Sequence, residues 1–444
     1  MDTGDTAWLL TSSALVLLMT PGLAFFYGGM VRSKSVLNMM MMSLGAAGVV
    51  GVLWVLVGYS TAFGTDVGGG LLGAPFEFFG LTGLLGAGVV SGTVPTTVFV
   101  AFQAMFGIIT VALISGAIAD RARFGPWLLF AALWSLLGYF PVAHWVFDLD
   151  GKDAAGEVVD PGGWIANRLA AVDFAGGTAV HVNAGAAGLA LAIVLGRRVG
   201  WPRDRVKPHN LPLVVLGAGL LWFGWFGFNA GSAAAANATA GVTFVNTLVA
   251  TSAALLAWLL VERLRDGNAT TLGAASGIVA GLVGITPACS AVTPLGAIAV
   301  GAITGALCAL AVGLKYRFGF DDSLDVVGVH LVGGLSGTLL VGLFADDAAP
   351  AAVNGLFHGG GVDQLWRQAV GALAVLAYSF AVSLGLGYLV KLTVGFRADE
   401  ESEVGGIDEA EHAETAYELG AALPGARGHA GPGVTAVLEG SAKS

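Results

Sequence analysis

His181 and His330 occur in matching surroundings. Asp173 precedes His181 by eight residues, and Gly185 and Gly188 follow it; Asp322 precedes His330 by eight, and Gly334 and Gly337 follow. A D-x7-H-x3-G-x2-G pattern therefore appears twice among 444 residues that contain only seven histidines. A neutral imidazole has one donor and one acceptor nitrogen, so two rings brought together share a single proton. Such a pair lays a fixed polar thread through apolar surroundings. On a helix, positions i, i+4 and i+7 fall on one stripe, so each histidine shares a face with its two glycines, which let an opposing helix come close. Asp173 and Asp322 read as helix N-terminal carboxylates that bond backbone amides. The remaining histidines have plainer readings: His144 as an interhelical hydrogen-bonding residue, and His209, His358, His412 and His429 as solvated side chains of loops or tail. Two histidines without a third ligand do not make a metal site. Cys289 and Cys308 lie in apolar stretches, so neither a metal, a cofactor nor a disulfide framework is expected.

The elements that carry these residues follow from composition. Hydrophobic residues make up 56% and charged residues 11%, against about 25% charged in an ordinary soluble domain. So few charges cannot cover that much apolar surface, and a lipid bilayer must. The 69 glycines follow no collagen-like period and suit close helix packing in a membrane. A span needs about 20 apolar residues, and the candidates are 8–30, 36–63, 95–119, 125–147, 174–196, 211–230, 242–261, 271–287, 294–314, 326–344 and 369–394. No basic n-region precedes the first run, which reads as a retained span rather than a signal peptide.

Charge sets the expected direction. Arg32/Lys34, Arg121/Arg123, the cluster from Arg197 to Lys207, Arg263/Arg265, Lys315/Arg317 and Lys391/Arg397 fall in every second gap. With Arg427 and Lys443 they place 17 of the 20 basic residues on one face, leaving Lys152, Arg168 and Arg367 on the other. Inner loops are the basic ones. The expected fold is an all-α polytopic membrane protein of about eleven spans, N-terminus out and C-terminus in. Five spans separate the two histidine motifs, and five is odd, so the second copy enters from the opposite face. That is an inverted repeat of five plus five spans (about 8–196 and 211–344), with a shared site near the midplane. Eight helical residues rise about 12 Å, nearly halfway across a core of about 30 Å.

The segment Asp173-Phe-Ala-Gly-Gly-Thr-Ala-Val-His181-Val-Asn-Ala-Gly closely resembles the signature of the ammonium transporter (Amt/Mep/Rh) family. Ala101–Phe106, Gly224–Ser232, the Phe-Val-Asn-Thr-Leu-Val-Ala-Thr run from Phe244 and Asp325–His330 resemble further family blocks in the same order. The resemblance implies a homotrimer in the plasma (inner) membrane with one pore per subunit, and it implies roles. Phe106 and Phe228 match the stacked phenylalanines that close the outer mouth, and Ser232 the hydroxyl that helps capture ammonium. His181 and His330 match the twin histidines of the conduction path. Asp173 matches the acidic residue that supports the external site and its deprotonation step, while Phe102 and Trp225 line or buttress the same vestibule. One departure stands out: Phe147 occupies a position where the family usually has tryptophan, the best cation–π partner, which would weaken the external site. Ser232 and the wording of the first motif place the chain on the Amt side of the family.

Residues 1–396 thus read as the transporter domain, and 397–444 as an acidic cytoplasmic tail, partly disordered, with ten acidic and two basic residues beyond Arg397. The tail resembles the family's regulatory segment, which implies a PII-type signal protein as partner. Ala413 replaces a usual glycine there. No basic patch points to nucleic acid, and no nucleophile or metal cluster points to an enzyme. The competing readings are an ammonium sensor that signals through its tail and a Rh-type neutral gas channel.

Overall fold

The computed structural model describes residues 1–152, 155–203 and 207–417. Among the described residues, ten helices are long and apolar enough to cross a membrane, beginning with α1 Thr3–Met30, α2 Val36–Phe63, α3 Thr96–Ile118, α4 Phe124–Phe147, α5 Gly177–Leu195, α6 Leu211–Gly231 and α7 Ala238–Asp266. The shorter α8, Thr271–Ile285, precedes α9 Pro294–Phe318, α10 Val327–Phe344 and α11 Asp363–Thr393. The eleven apolar segments of the sequence thus correspond to ten long helices and one short one. Two small hairpins, β1 Val90–Ser91 with β2 Val94–Pro95 and β3 Gly151–Lys152 with β4 Val158–Asp160, lie in the loops after α2 and α4.

Side-chain caps mark several helix starts. Asn210, Asn237, Thr270 and Thr293 each accept a hydrogen bond from the amide three residues on, worth about 1 kcal/mol apiece. Pro212 and Pro294 occupy the first turns of α6 and α9, where the missing N–H costs nothing.

Large aromatic side chains such as Trp54, Trp127 and Trp134 fill part of the interior, while α7 is mostly small and polar inside and apolar outside. On α7 the buried stripe runs from Ala240 through Thr243, Asn246, Thr247, Ala250, Thr251 and Ala254 to Trp258, while Leu256, Leu260 and Leu264 are exposed. A water-soluble helix has the opposite arrangement. Backbones approach closely along that stripe: a Cβ on Gly301 of α9 would stand 2.0 Å from the Ala250 carbonyl oxygen. Dispersion and small residues hold such bundles, since lipid supplies no hydrophobic drive between helices.

The basic face is knitted by buried ion pairs. Arg198 bonds Asp120 at 3.0 Å and Asp321 at 2.9 Å, and Arg121 donates to the Asp321 carbonyl and the Ser323 hydroxyl, both at 2.5 Å. The start of the tail folds against this face as α12 Glu400–Gly405 and α13 Ile407–His412. Asp408 accepts from the amides of Leu37 and Asn38 at 3.0 and 2.8 Å, capping α2 from a distant part of the chain. Glu403 accepts from Arg397 and the Val199 amide, and Glu411 from Arg123 and the Phe124 amide.

Two histidines expected to be solvated are not. His209 is held between the Val31 carbonyl (2.9 Å) and the Tyr417 hydroxyl (2.8 Å), and His412 contacts Asn38 at 3.0 Å and packs edge-on against Phe124. The docked tail covers both, a contact that loop position could not foretell. His358 is partly exposed and touches the Ala345 carbonyl at 2.8 Å. His429 and the expected disorder beyond residue 420 lie outside the described residues.

Candidate functional site: a vestibule, an aromatic gate and a histidine pair

The two histidine motifs fold alike. Asp173 accepts the amides of Gly176, Gly177, Thr178 and Ala179 at 2.5–3.2 Å, and the Thr178 hydroxyl as well. Asp322 accepts those of Val326 and Val327 at 3.0 and 2.7 Å. Each aspartate thus caps the helix that carries its histidine, α5 or α10. Both helices open with a wide π turn, Gly177–Val182 and Val327–Leu331, closed by i→i+5 bonds from Asn183 to Thr178 and from Val332 to Val327. Such turns cost helix regularity and recur at functional sites.

The two helices meet at those turns. A Cβ on Gly185 would stand 2.4 Å from the Leu331 amide nitrogen, and one on Gly334 would stand 2.9 Å from the His181 Cβ. The close approach brings His181 Nδ1 to 3.3 Å from His330 Nδ1, with ring centroids 5.4 Å apart and planes within 16°. Both rings are buried. At that separation one Nδ1 bears the hydrogen and the other accepts it, so each ring turns a different kind of Nε2 towards its surroundings. The Nε2 of His181 is buried and has no protein partner. Trp225 stacks on His181 at 5.4 Å and 14°, and its indole N–H donates to Thr286 Oγ1 at 2.8 Å. Thr286 in turn donates to the Leu282 carbonyl at 2.7 Å.

Above the pair stands an aromatic stack. Phe106 of α3 and Phe228 of α6 lie parallel, centroids 4.1 Å apart at 11°, and Phe228 is 6.2 Å from His181. Phe102 packs edge-on against Phe106 at 4.9 Å. Phe106 also forms part of the floor of a cavity of about 650 Å³ on the face opposite the basic loops, which Phe147, Asp148, Asp173 and Ser232 line as well. Phe147 meets Phe106 edge-on at 6.0 Å and 85°. The Ser232 hydroxyl donates to the Phe228 carbonyl at 2.8 Å, which spends its hydrogen and leaves its lone pairs to accept. Phe106, Phe147, Ser232 and Asp173 therefore share the vestibule. Phe102 stands behind Phe106, and Trp225 lies one layer deeper, against the histidines.

Sequence reading missed part of this wall. Tyr59, Gln103 and Asp148 line the cavity, and Gln368 of α11 clamps Val172 beside Asp173, accepting its N–H and donating to its carbonyl, both at 2.7 Å. His144 bonds the Ala62 carbonyl, as an interhelical histidine should, but it also faces Asp66 and Asp148. An acidic residue next to the motif position Phe147 was the one available signal. Among the described residues, no group of three or more His, Cys, Asp or Glu side chains is placed to hold a metal.

The profile of the Ammonium Transporter Family matches residues 7–417. The chain belongs to the ammonium transporter family. An ammonium transporter of Mycobacterium tuberculosis is 65% identical over 95% of this chain and 91% of its own length, and one of Bacillus subtilis is 45% identical over 94% and 99%. Among solved structures, Saccharomyces cerevisiae Mep2 superposes with a TM-score of 0.79 at 35% identity, over 90% of this chain and 91% of its own. A protein described as a sensor Amt protein superposes at 0.83 with 30% identity, over 92% and 98%. This member of the ammonium transporter family is accordingly a multi-pass membrane protein built on the Amt/Mep fold.

Proposed function

We propose that this protein takes up ammonium: the vestibule captures the cation, a proton is left behind, and ammonia passes the aromatic gate and the histidine pair. The observation that carries this reading is the continuous column from Phe147 through Phe106 and Phe228 to His181 and His330. Ammonium is a small cation with four donors. Aromatic faces worth about 0.5–2 kcal/mol each and the accepting oxygen of Ser232 replace part of its water shell. Below the gate the column continues as the buried histidine pair with Trp225 stacked on it, side chains that carry no negative charge, and burying an unpaired ion costs far more than those contacts return. Neutral ammonia meets no such barrier, and the shared-proton histidine pair offers it a donor or acceptor at mid-depth. Phe106 and Phe228 are fully buried and in contact, so passage requires their rings to swing aside, a gating motion of the usual kind. Asp173, with all its lone pairs committed to amides and Thr178, supports the vestibule floor.

In this reading the eleven segments all span, the basic face is cytoplasmic, and the protein sits in the plasma membrane as a homotrimer. The docked tail lies where a PII-type protein would approach. The uptake reading is tested by ammonium flux into proteoliposomes, wild type beside His181→Ala/His330→Ala. Flux above empty vesicles that the double variant loses or makes unselective supports it. The likeness to a sensor Amt protein favours a second reading, a receptor that signals through its tail; ammonium binding without flux would select it.

A further inference from the structure

His144, at the outer end of α4, is completely buried, and its neighbours dictate where its hydrogens lie. Nδ1 is 3.1 Å from the Ala62 carbonyl, which can only accept, so Nδ1 bears a hydrogen. Nε2 has no hydrogen-bond partner and is 3.4 Å from Asp66 Oδ1. Asp66 accepts the amides of Gly68 at 3.2 Å and Gly70 at 2.7 Å, and these bonds favour its ionised form. With the hydrogen on Nδ1, the Nε2 lone pair of the ring faces that carboxylate. On the other side, Asp148 Oδ2 lies 3.3 Å from Nδ1. The ring and the two carboxylates form one cluster, and Asp148 is its member on the vestibule wall.

The two vestibule carboxylates differ in what they can accept. Asp173 takes four amides and a hydroxyl, so protonating it would break bonds already made. Among the described residues, no amide or hydroxyl donates to the Asp148 carboxylate, while its backbone is pinned: its carbonyl accepts from Gly163 N and Asn167 Nδ2, each at 2.9 Å. We propose that Asp148, backed by His144 and Asp66, is the group that takes the proton from ammonium in the vestibule. This rests on the reading that ammonium gives up its proton before the gate. One N–H bond of ammonium breaks, its electron pair stays on nitrogen as the lone pair of ammonia, and the proton bonds an Asp148 oxygen. It then passes to water on the outer side, which restores the carboxylate.

The groups facing Asp148 are Tyr59 from α2, His144 from α4, Asp66 from the loop after α2 and Asp160 from β4. Burial, with the carboxylates of Asp160 and Asp66, pushes Asp148 up to about 8. A proton acceptor works best with its pKa near the operating pH, and an ordinary carboxylate would hold the proton far too weakly. Because the ionised form is the acceptor, uptake per unit ammonium rises as pH climbs through that value.

The test is initial ammonium uptake by proteoliposomes from about pH 6 to about pH 9, corrected for empty vesicles. Asp148→Asn, Asp66→Asn and His181→Ala/His330→Ala run beside the wild type. Asp148→Asn is expected to lower uptake by about tenfold or more and to flatten its pH profile. Asp66→Asn, which removes one of the two carboxylates that raise Asp148, moves the midpoint to lower pH. Wild-type rate and profile in Asp148→Asn overturn the assignment and leave the uptake reading intact. If Asp148→Asn does not reconstitute, an unmoved midpoint in Asp66→Asn overturns it equally. Absence of wild-type flux defeats the uptake reading, and the assignment with it.

Discussion

Gly185→Ala places one methyl group where the two histidine helices cross. The new Cβ would stand 2.4 Å from the Leu331 amide nitrogen and 2.6 Å from its Cβ, where ordinary contact begins at 3.4 Å. The obstacle is backbone, so α10 must retreat by about 1 Å rather than turn a side chain. Leu331 adjoins His330, and the Nδ1–Nδ1 distance of 3.3 Å would open to about 4 Å, beyond hydrogen-bond range. Overpacking of this kind costs about 1–3 kcal/mol. Gly188→Ala is the control: on the same helix, its Cβ would meet the Val326 Cγ1 methyl at 3.0 Å and the Ala117 Cβ at 3.1 Å, an overlap of a few tenths that small shifts relieve. Melting temperature in detergent and ammonium flux in proteoliposomes are to be measured on both. Gly185→Ala should melt lower and lose most of its flux, while Gly188→Ala stays close to wild type on each. An unshifted melting temperature with wild-type flux in Gly185→Ala would refute the idea that this crossing holds the rings in register.

Other substitutions probe the vestibule and the tail. Ser232→Ala removes the accepting oxygen, worth about 0.5–1.5 kcal/mol, and should raise the half-saturating ammonium concentration about two- to tenfold with little change at saturation. Phe147→Trp enlarges the cation–π surface by about 0.5–1 kcal/mol and should lower it about two- to fivefold, again read from uptake against concentration. Asp173→Asn gives up an oxygen that serves several donors and turns an NH2 towards amide hydrogens, at about 3 kcal/mol or more; a clear fall in melting temperature is expected. Asp408→Ala removes the cap that the tail lends to α2, worth about 1–2 kcal/mol. Faster limited proteolysis of the tail would register its release, with flux followed in parallel.

How much of this was legible in the sequence depends on how far apart the partners are. The repeated spacing around His181 and His330 lay within single segments, so the face shared with Gly185 and Gly334 could be read from helical geometry alone. The aspartate caps were legible for the same reason. What the spacing could not show is the π turn under each histidine, because a single i→i+5 register is set by the crossing helix and not by local propensity. His144 and Asp148 stand four residues apart at one helix end, but Asp66 reaches them from the loop after α2, and Gln368 reaches Val172 across 196 positions. Composition carries no trace of such pairs. His209 and His412 misled for a related reason: loop and tail positions read as solvated until the basic loops and the bare N-terminus of α2 that receive the tail are seen together. Phe147 was marked from its motif position, while Asp148 beside it drew no notice without the cavity it lines.

The central claim is that a cation is captured but ammonia crosses. Current and internal pH recorded together on an ammonium pulse, with a potassium pulse as reference, test it most directly. Wild type should acidify the outer side or raise internal pH on ammonium, remain silent to potassium, and lose that discrimination in His181→Ala/His330→Ala. A wild-type current that potassium carries as well as ammonium would mean that a hydrated or bare cation passes the gate intact, and would contradict the account.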